Sequence, residues 1–392
     1  EKTDMSTTSF DLLTPDQQDL RQMVHSFADE EIIPTCKELE IEGIFPEELY
    51  KKAYEMGLTT MILPEKYGGM GLDIFTYSIC KEELARGDAG FAGAVAGSFM
   101  GSLPARLFGT EYQIKTVTEL LCNGGAMAFA LTEAESGSDS AGMRTTYVDD
   151  GDAYVINGSK TFISGGEHAD MFLVFATFDR ELRGKGVSAF YVDAKTPGLS
   201  IGKKEDKMGY RTSDTVDLIF DNVRVPKDML IGKEGEGMMI MSQCLNRTRP
   251  TAGAGAIGNA QYAFEIAADY STKRMSFGKP ICKHQGIGFK LAEMYTLLEA
   301  GRLMCWQASK TADAGIVDAK LFSAAKVFAS DAGMKVCSEA VQILGGYGYS
   351  KEYPVEKRFR DAKIYQIFEG TNEIQKMVIS KDITKEMLPK KA

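Results

Sequence analysis

Histidine is scarce in this sequence, because His25, His168 and His284 are the only three among 392 residues. They are not paired at ligand spacing, and the seven cysteines form no C-x-x-C motif, so the usual signatures of a zinc site are missing. An odd number of scattered cysteines indicates free thiols in a reducing compartment and not a disulfide framework. With so few histidines there is no Ser-His-Asp constellation either. We therefore expect no metal site and no catalytic triad.

Basic residues are also in deficit, with 45 lysines and arginines against 55 aspartates and glutamates and a formal net charge of −10. Because nucleic-acid-binding surfaces neutralise phosphates with basic side chains, this balance argues against DNA or RNA as a partner. No uninterrupted apolar run approaches the length that a helix needs to cross a bilayer, so we expect no membrane span. The start, EKTDMSTTSF, is polar and acidic, unlike a signal or transit peptide. This favours a cytoplasmic protein of bacterial type, with a mitochondrial matrix protein that has lost its presequence as the alternative.

The chain is too long for one ordinary core, and its pattern changes twice. Residues 1–125 show helical spacing, and the pattern TPDQ predicts a capped start of the first helix. Residues 126–238 contain short β-branched and aromatic runs between turns, which predicts a β domain with a hairpin turning at the Asn-Gly pair of YVINGSK. Residues 239–392 return to helical spacing, and their small-residue run TAGAGAIGNA allows close helix packing. The pattern predicts an α+β protein: a helical domain, a middle β-barrel or sandwich domain and a C-terminal helical bundle.

Two common nucleotide-binding motifs are absent. There is no Walker motif, and no G-x-G-x-x-G follows a strand, since GGYGYS (345–350) comes after an amphipathic helix. The loop ALTEAESGSDSAG (130–142) offers hydroxyl groups and a glycine-loosened backbone, which could donate N–H groups to a planar heterocycle or a phosphate. A plain turn is the alternative interpretation of this loop.

Two further segments have residue types that suit such a ligand. KTFISGGE places the ring of Phe162 and the hydroxyl of Ser164 at the end of a predicted strand. KRMSFGKPI contributes Arg274 and Ser276, which would bind a phosphate if they face a ligand. A solvated helix end with a basic residue is the alternative for the second segment.

The stretch DAKIYQIFEGTNEIQ (361–375) places Glu369 behind aromatic and aliphatic residues and directly before Gly370. A carboxylate in apolar surroundings is disfavoured as an anion, so its pKa should rise toward the range of a general base. A following glycine permits unusual dihedral angles and lets a ligand approach the backbone. The alternative is a surface glutamate at a helix end with a glycine cap behind it.

Taken together, six motifs in order resemble the acyl-CoA dehydrogenase family, most closely its medium-chain type. They extend from residue 129 to residue 375, and the N-terminal helices fit as well. The motifs are FALTEAESGSDSAG, YVINGSKTFISGG, NRTRPTAGAGAIG, STKRMSFGKPICKHQ, AVQILGGYGYSKEYPVEK and FRDAKIYQIFEGTNEIQ. The resemblance implies a three-domain subunit that ends in a four-helix bundle, with non-covalent FAD. It also implies a homotetramer built as a dimer of dimers and electron-transferring flavoprotein as the oxidant of the flavin.

The resemblance also implies roles for single residues. Glu369 would be the catalytic base, which removes a proton from the carbon next to the thioester of an acyl-CoA while a hydride leaves the β carbon for the flavin. The residues expected to bind FAD are Phe129, Leu131, Thr132, Gly137, Ser138, Phe162, Ile163, Ser164, Arg274, Ser276, Phe277, Gln285, Gln342, Gly345, Gly346, Thr371 and Glu373. Those expected to bind the acyl-CoA are Ser138, Asn246, Arg247, Thr248, Arg249, Phe368, Gly370 and Lys381, with Ala92, Gly93 and Ala96 at its acyl end.

Some positions depart from the medium-chain pattern. Phe368 replaces a tyrosine, Asn246 replaces an aspartate and Lys381 replaces an arginine that contacts CoA. One branch of the family carries its base where Thr248 stands here, and threonine cannot serve as that base, so the role returns to Glu369.

The acyl-end segment DAGFAGAVAGSFMGS (88–102) is unusually rich in small residues. Missing side chains predict a wide pocket for a branched, cyclic, aryl-bearing or dicarboxylic acyl group, or alternatively a helix packed closely against a neighbour. The expected reaction is formation of a trans-2-enoyl-CoA. An enoyl-CoA reductase that runs the same site in reverse is the first alternative, followed by a flavin monooxygenase or oxidase and by a non-catalytic binding protein.

Overall fold

The computed structural model of the protein describes residues 12–388. Residues 1–11, which include the polar start used above to predict the location, lie outside the described residues, as do residues 389–392. The first part of the chain is helical. Its helices are α1 (Pro15–Phe27), α2 (Ile33–Glu42), α3 (Glu47–Glu55), α4 (Ile74–Gly87), α5 (Ala89–Phe108) and α6 (Glu111–Cys122).

Helix α1 begins where the TPDQ pattern predicts it. The Thr14 hydroxyl accepts a hydrogen bond from the Gln17 N–H at 3.3 Å, and the Gln17 side-chain oxygen accepts one from the Thr14 N–H at 3.1 Å. Pro15 takes the first helical position, where its missing N–H leaves no helical hydrogen bond unmade. A cap of this kind stabilises a helix by about 1 kcal/mol, which is why the pattern can be read locally.

The middle of the chain forms one connected eight-stranded sheet. Its strands are β1 (Met127–Ala130), β2 (Thr146–Asp149), β3 (Ala153–Ser164), β4 (Met171–Thr177), β5 (Val187–Asp193), β6 (Leu199–Lys204), β7 (Thr215–Pro226) and β8 (Leu230–Ile231). The strand order is β6-β7-β3-β2-β4-β5-β8, and β1 pairs in parallel with β4. Every residue of β4 is buried, as expected for a central strand with a continuous apolar run.

The expected hairpin at Asn157-Gly158 is wrong. Both residues lie inside β3, which continues through the pair and remains hydrogen-bonded to β7 on either side. The register shifts between Ile156 and Gly158, and Gly158 has a φ of 142°. The Asn-Gly pair therefore forms a bulge in a long strand, a position where glycine's conformational freedom is also needed.

The last part of the chain is helical again, apart from a small hairpin. It contains α7 (Gly237–Lys273), the strands β9 (Met275–Ser276) and β10 (Lys279–Pro280), α8 (Gln285–Asp313), α9 (Ala319–Leu344), α10 (Val355–Ala362) and α11 (Asn372–Met387). The predicted order of helices, a β domain and a helical bundle is confirmed. Between residues 12 and 388 no helix has both the length and the apolar character to pass through a bilayer.

Helix α4 joins the two helical parts and is buried along its whole length, from Ile74 to Gly87. It packs against α1 and α5 and also against α7 and α8. The small-residue run of α7 makes this possible, because a Cβ on Gly258 would collide with the carbonyl oxygen of Glu82 in α4. The close packing predicted from TAGAGAIGNA is thus observed, and it places the side chains of α4 at the centre of the molecule.

Candidate active site

Glu369 lies in a sharp turn just before α11. Its φ is 53° and that of Gly370 is 86°, so two consecutive residues adopt the left-handed conformation. For a residue with a side chain this conformation costs about 1–2 kcal/mol, and such strain is concentrated at functional sites. The turn directs the carboxylate inward, and its Oε2 is buried without a hydrogen-bond partner. A solvated glutamate with a glycine cap behind it does not fit this geometry.

Two side chains from neighbouring helices hold the turn in place. The Gln375 amide donates hydrogen bonds to the carbonyl oxygens of Glu369 at 3.1 Å and Gly370 at 3.0 Å. The Lys326 ammonium donates to the Gly370 carbonyl oxygen at 2.9 Å and to the Asn372 side-chain oxygen at 2.9 Å. A Cβ at Gly370 would lie 2.6 Å from the Gln375 amide nitrogen, so this position requires glycine for space as well as for φ.

Burial raises the pKa of the Glu369 carboxyl above its ordinary value. A hydrogen bond with Thr248 and the charges of Lys81, Lys326 and Arg249 lower that pKa and so offset part of the rise. Loss of water therefore destabilises the Glu369 anion, and the nearby cations stabilise it. That balance is what a general base needs near neutral pH.

Several residues predicted for the substrate path surround this carboxylate. Asn246, Thr248 and Arg249 are all buried on α7, and the Asn246 side-chain oxygen accepts a hydrogen bond from Arg249 at 2.8 Å. The ring of Phe368 packs edge-on against Tyr210, with centroids 5.9 Å apart. The sequence interpretation missed Tyr210, which follows an unremarkable loop after β6.

The first group of predicted FAD residues gathers where β1 ends beside β3. The Thr161 N–H donates a hydrogen bond to the Thr132 carbonyl oxygen at 2.9 Å, and the buried Lys160 ammonium donates to Leu131 O at 3.0 Å. Lys160 also forms an ion pair with Glu133 at 2.8 Å. These contacts fix the backbone of the 130–142 loop, while Gly137 and Ser138 in it stay exposed. Phe129, on β1, is partly buried and packs against Phe175.

The end of β3 presents an exposed aromatic ring next to this loop. Phe162 has a φ of 57° and is 61% exposed, and Ser164 is exposed as well. An exposed aromatic side chain on a strained backbone is not explained by packing, and it suits a planar ligand that would cover it. Ile163 differs from the expectation, because its side chain lies in the core of the sheet and is 1% exposed, leaving only its backbone for a ligand.

A second group of predicted FAD residues lies on the surface around the hairpin β9–β10. Phe277 is 94% exposed at the hairpin turn, and Arg274 lies over the ring of Tyr347 at 5.8 Å. The Ser276 carbonyl lies 3.1 Å from His284 Nε2, and Gln285 begins α8 beside it. Gln342, Gly345 and Gly346 are exposed at the end of α9. Among the described residues, no hydrogen bond or ring contact links this group to Glu369, so one subunit does not bring the two together by such contacts.

The residues predicted for the acyl end of the site lie on α5. Gly93, Ala96, Gly97 and Met100 retain partial exposure on one face of this helix, whose other residues up to Ala105 are buried. A Cβ on Gly93 would collide with the Tyr210 hydroxyl, and one on Gly97 would lie 2.8 Å from the Met127 carbonyl oxygen. These two glycines are therefore explained by close neighbours, and their small size does not by itself measure pocket volume. Ala92 is fully buried, so its side chain does not line an accessible surface.

The remaining predicted residues are exposed or partly exposed. Thr371 caps α11 by accepting a hydrogen bond from the Ile374 N–H at 3.2 Å. Glu373 and Lys381 are exposed on α11, and Arg247 donates to the Gln243 carbonyl oxygen on its own helix at 3.0 Å. None of these contacts tests a ligand-binding role.

Two buried groups of α4 were missed by the sequence interpretation. Lys81 and Tyr77 lie one helical turn apart, and the charge of Glu369 affects the pKa of both side chains. The available signal was a lysine inside the mostly apolar stretch IFTYSICKEEL. Local periodicity predicts a helix there but gives no sign that the helix is buried on every side.

His168, which appeared isolated in the sequence, has acidic neighbours in space. One ligand atom each from Glu167, His168 and Asp214 lie within 4.8 Å of one another. His168 Nδ1 is 3.1 Å from Asp214 Oδ1, and its ring stacks on Phe45 with centroids 4.0 Å apart. The hydrogen bond with Asp214 raises the pKa of His168, so the cluster is explained as an ion pair between the loop after β3 and the residue before β7.

Comparisons with known proteins agree with this arrangement. The N-terminal, middle and C-terminal domain models of acyl-CoA dehydrogenase match residues 14–125, 128–223 and 235–384. The chain is 44% identical over 372 residues to an acyl-CoA dehydrogenase of Bacillus subtilis (strain 168), covering 94% of this chain and 98% of that one. It is 43% identical over 376 residues to a short-chain specific acyl-CoA dehydrogenase of Megasphaera elsdenii, covering 93% and 97% of the two chains.

A solved structure gives the same result. Butyryl-CoA dehydrogenase from Megasphaera elsdenii superposes with a TM-score of 0.93 at 42% identity, covering 95% of this chain and 99% of that one. The two Megasphaera elsdenii proteins have short-chain and butyryl-CoA names, so they do not support the medium-chain type that the motifs favoured. The family itself is the one that the motifs predicted. This chain belongs to the acyl-CoA dehydrogenase family of oxidoreductases, which act on CH–CH bonds.

Proposed function

We propose that the protein dehydrogenates an acyl-CoA thioester between its α and β carbons, with Glu369 as the base. The observation that carries this proposal is the buried and unpaired Oε2 of Glu369 on a turn held by Gln375 and Lys326. A buried oxygen without a hydrogen-bond partner destabilises a folded protein. A role in accepting a proton from a substrate C–H would explain why this oxygen is left unpaired.

The proton transfer follows from this environment. Glu369 takes the proton from the α carbon, and the electron pair of that C–H bond forms the new double bond as a hydride leaves the β carbon. Because burial raises the pKa of Glu369, its anion is a stronger base than an exposed glutamate. The Glu369 N–H donates no hydrogen bond within residues 12–388 and is available for the developing enolate oxygen of the thioester.

FAD fits the residues that the chain offers. The exposed ring of Phe162 and hydroxyl of Ser164 adjoin the 130–142 loop, and we assign this region to the flavin ring. When bound, FAD supplies the acceptor for the hydride that leaves the β carbon. Arg274 and Ser276 would hold the diphosphate and Phe277 the adenine end, with Gln285 beside them.

The surface position of that second group supports a shared site. Phe277 is 94% and Tyr349 is 89% exposed, which is unusual for large aromatic side chains unless another molecule covers them. We therefore propose a homotetramer, a dimer of dimers, in which Gln342, Gly345 and Gly346 reach the FAD of a neighbouring subunit. Electron-transferring flavoprotein would reoxidise the flavin. A cytoplasmic location is proposed because the relatives reported above are bacterial.

At the acyl end, the partly exposed face of α5 forms the floor of the pocket. Ala96 lies on this face and is partly exposed. We propose that the pocket accepts acyl groups bulkier or more polar at their ends than butyryl, in contrast to the short-chain names of the relatives. CoA contacts at Ser138, Arg247 and Lys381 belong to the same proposal.

The test is an anaerobic mixing experiment with the FAD-loaded protein. Straight, branched, cyclic and aryl-bearing acyl-CoAs are added in turn, and loss of oxidised-flavin absorbance is followed together with the formation of 2-enoyl-CoA. Bleaching with at least one acyl-CoA is expected. Fully loaded protein that no acyl-CoA bleaches would contradict the proposed function. Protein that no acyl-CoA bleaches, but whose chemically reduced flavin is reoxidised by enoyl-CoA, would instead assign the site to the reverse, reductase reaction.

A further inference from the structure

Lys81 is a buried lysine whose ammonium group has a single hydrogen-bond acceptor and no carboxylate partner among the described residues. It lies on α4, its side chain is 3% exposed, and its ammonium donates one hydrogen bond, to the Ala92 carbonyl oxygen. No carboxylate among the described residues lies within the 4.0 Å of an ion pair with it. Two of its three N–H donors are therefore unused, in a position where an unsatisfied donor is costly.

The other buried lysines of residues 12–388 are satisfied. Lys160 pairs with Glu133 at 2.8 Å, and Lys357 pairs with Asp88 at 2.6 Å and with a second aspartate on its own helix. Lys326 has two oxygen acceptors at 2.9 Å. Lys81 is thus the exception, which calls for an explanation other than general packing.

A second unsatisfied donor lies beside it. The Tyr77 hydroxyl, one helical turn earlier on the same face of α4, is buried and has no hydrogen-bond partner in the described part of the chain. Its ring is fixed by stacking on Phe99 of α5, with centroids 3.9 Å apart. Both side chains are buried, so neither donor can be satisfied by bulk water.

The two donors lie within the proposed site. The charge of Glu369 acts on Lys81 and on Tyr77, so both are within electrostatic range of the base. The carbonyl that Lys81 binds belongs to Ala92, directly before the partly exposed face of α5 that starts at Gly93. On the opposite side, the Lys81 Cε lies 3.3 Å from where a Cβ of Gly255 on α7 would stand.

We propose that Lys81, assisted by the Tyr77 hydroxyl, determines specificity by binding a carboxylate at the far end of the acyl chain. This rests on the proposed function, because it names the acyl group that the Glu369 site would take. The ligand carboxylate supplies the acceptors that both donors lack and the counter-charge that a buried ammonium needs. Burial lowers the pKa of Lys81 to about 7, so the arriving anion would also favour the protonated form.

The experiment compares pairs of acyl-CoAs of equal chain length, one with a methyl end and one with a carboxylate end. Specificity is measured as the ratio of kcat/KM for the carboxylate substrate to kcat/KM for the methyl substrate, with FAD-loaded protein. The wild type should favour the carboxylate substrate. Lys81→Met, which keeps the length of the chain but removes the charge, should lower the ratio by about tenfold or more, and Tyr77→Phe by a few-fold.

Lys326→Met is the matched control. Lys326 also feels the charge of Glu369 and its pKa is lowered by burial to about 8, but its donors are already taken by Gly370 and Asn372. Its removal should change kcat/KM for both substrates by the same factor and leave the ratio unchanged. If Lys81 acted only through its charge on Glu369, Lys81→Met would also lower kcat/KM for both substrates by the same factor. An unchanged ratio in Lys81→Met would therefore overturn the inference.

A further comparison needs no variant. In the wild type, masking the terminal carboxylate as its methyl ester removes the charge with little change in size, and this should lower kcat/KM by a similar factor. If methyl and ester substrates are preferred and Lys81→Met leaves the ratio unchanged, the inference is wrong while the proposed function stands. If no acyl-CoA of either kind bleaches the flavin, the proposed function itself fails.

Discussion

The buried polar groups on the two faces of α4 differ in whether they have hydrogen-bond and ion-pair partners. On one face, Glu82 accepts a hydrogen bond from Arg302 at 2.7 Å, and Glu83 accepts one from Arg21 at 2.7 Å and lies 2.9 Å from His25. On the other face, Tyr77 has no partner and Lys81 has only one. The paired groups of the first face link α4 to neighbouring helices. The unpaired donors of the second face remain available to a ligand.

The same contrast separates two carboxylates. Burial alone would raise the pKa of Glu83, but the hydrogen bond with His25 and the charge of Arg21 lower it to about 2. Burial raises the pKa of Glu369, and its neighbours offset only part of that rise. Burial raises the pKa of both carboxyl groups, so the opposite results follow from how strongly the neighbours of each one favour its charged form. Each prediction below changes one side of this contrast.

The largest effect is expected for Glu369→Gln. The amide has nearly the same shape but accepts no proton, so kcat with the best acyl-CoA should fall by about 10²–10⁴-fold. Steady-state kinetics measures the loss, and the flavin spectrum checks that FAD is retained. A variant that keeps most of the wild-type rate would show that another group is the base.

The next effect concerns stability and the paired face of α4. Arg302→Met leaves the buried carboxylate of Glu82 without its cation and removes a hydrogen bond to Gln261, so the free energy of unfolding should fall by about 3–5 kcal/mol. The control is the exposed ion pair of Lys115 and Glu119, where Lys115→Ala should cost less than about 1 kcal/mol. Urea unfolding of both variants measures the difference, and similar losses would contradict the distinction between buried and exposed pairs.

A smaller effect is expected where the backbone is strained. Gly370→Ala puts a Cβ on a residue with a φ of 86° and close to the Gln375 amide, which should cost about 1–2 kcal/mol and displace the turn that carries Glu369. Gly137→Ala is the matched control, because that glycine has no close neighbour and no positive φ, so its stability should change by less than about 0.5 kcal/mol. Thermal unfolding of the two variants decides the comparison, and kcat/KM of Gly370→Ala reports the displacement of the turn.

The last prediction is a pair of opposite pH dependences. Because the pKa of Glu83 is depressed, its contribution to stability is present above the ordinary value of 4.5 and is lost as the pH falls toward about 2. The pKa of Glu369 is raised, so the folded state holds its proton more tightly and stability falls as the pH rises through that pKa. Glu83→Gln should flatten the acid limb of the unfolding free energy, whereas Glu369→Gln should make the protein slightly more stable than wild type at neutral pH. If the free energy of unfolding changed with pH in the same way in both variants, the two carboxylates would not have opposite pKa shifts.

Local signals in the sequence were sufficient for much of the fold. The cap at Thr14 and the close packing at Gly258 depend on residues a few positions apart or on size alone, and both were predicted correctly. The Asn157-Gly158 turn was wrong because a hairpin and a bulge need the same backbone freedom. The partner strand β7, some sixty positions away, decides between them.

The candidate site shows the same limit. The apolar surroundings of Glu369 can be read from the residues beside it, but the unused donors of Lys81 cannot, since they depend on which residues of α5 and α7 lie opposite. The small residues at Gly93 and Gly97 are a similar case. A missing side chain in the sequence means either a cavity or a close contact, and only the position of Tyr210 and Met127 distinguishes the two.

The turn that carries Glu369 is held in place before any substrate binds, and this affects which kinetic step would distinguish one substrate from another. Its two carbonyl groups are fixed by Gln375 and Lys326, which belong to α11 and α9, so the loss of conformational entropy in this turn occurs when the helices pack. If Glu369 is the base, as proposed, a substrate would find its backbone already in position and would spend none of its binding energy on ordering that turn. Among acyl groups that reach the same depth, selectivity would be expressed in how tightly the chain is held, and the proton would be removed from each at a similar rate.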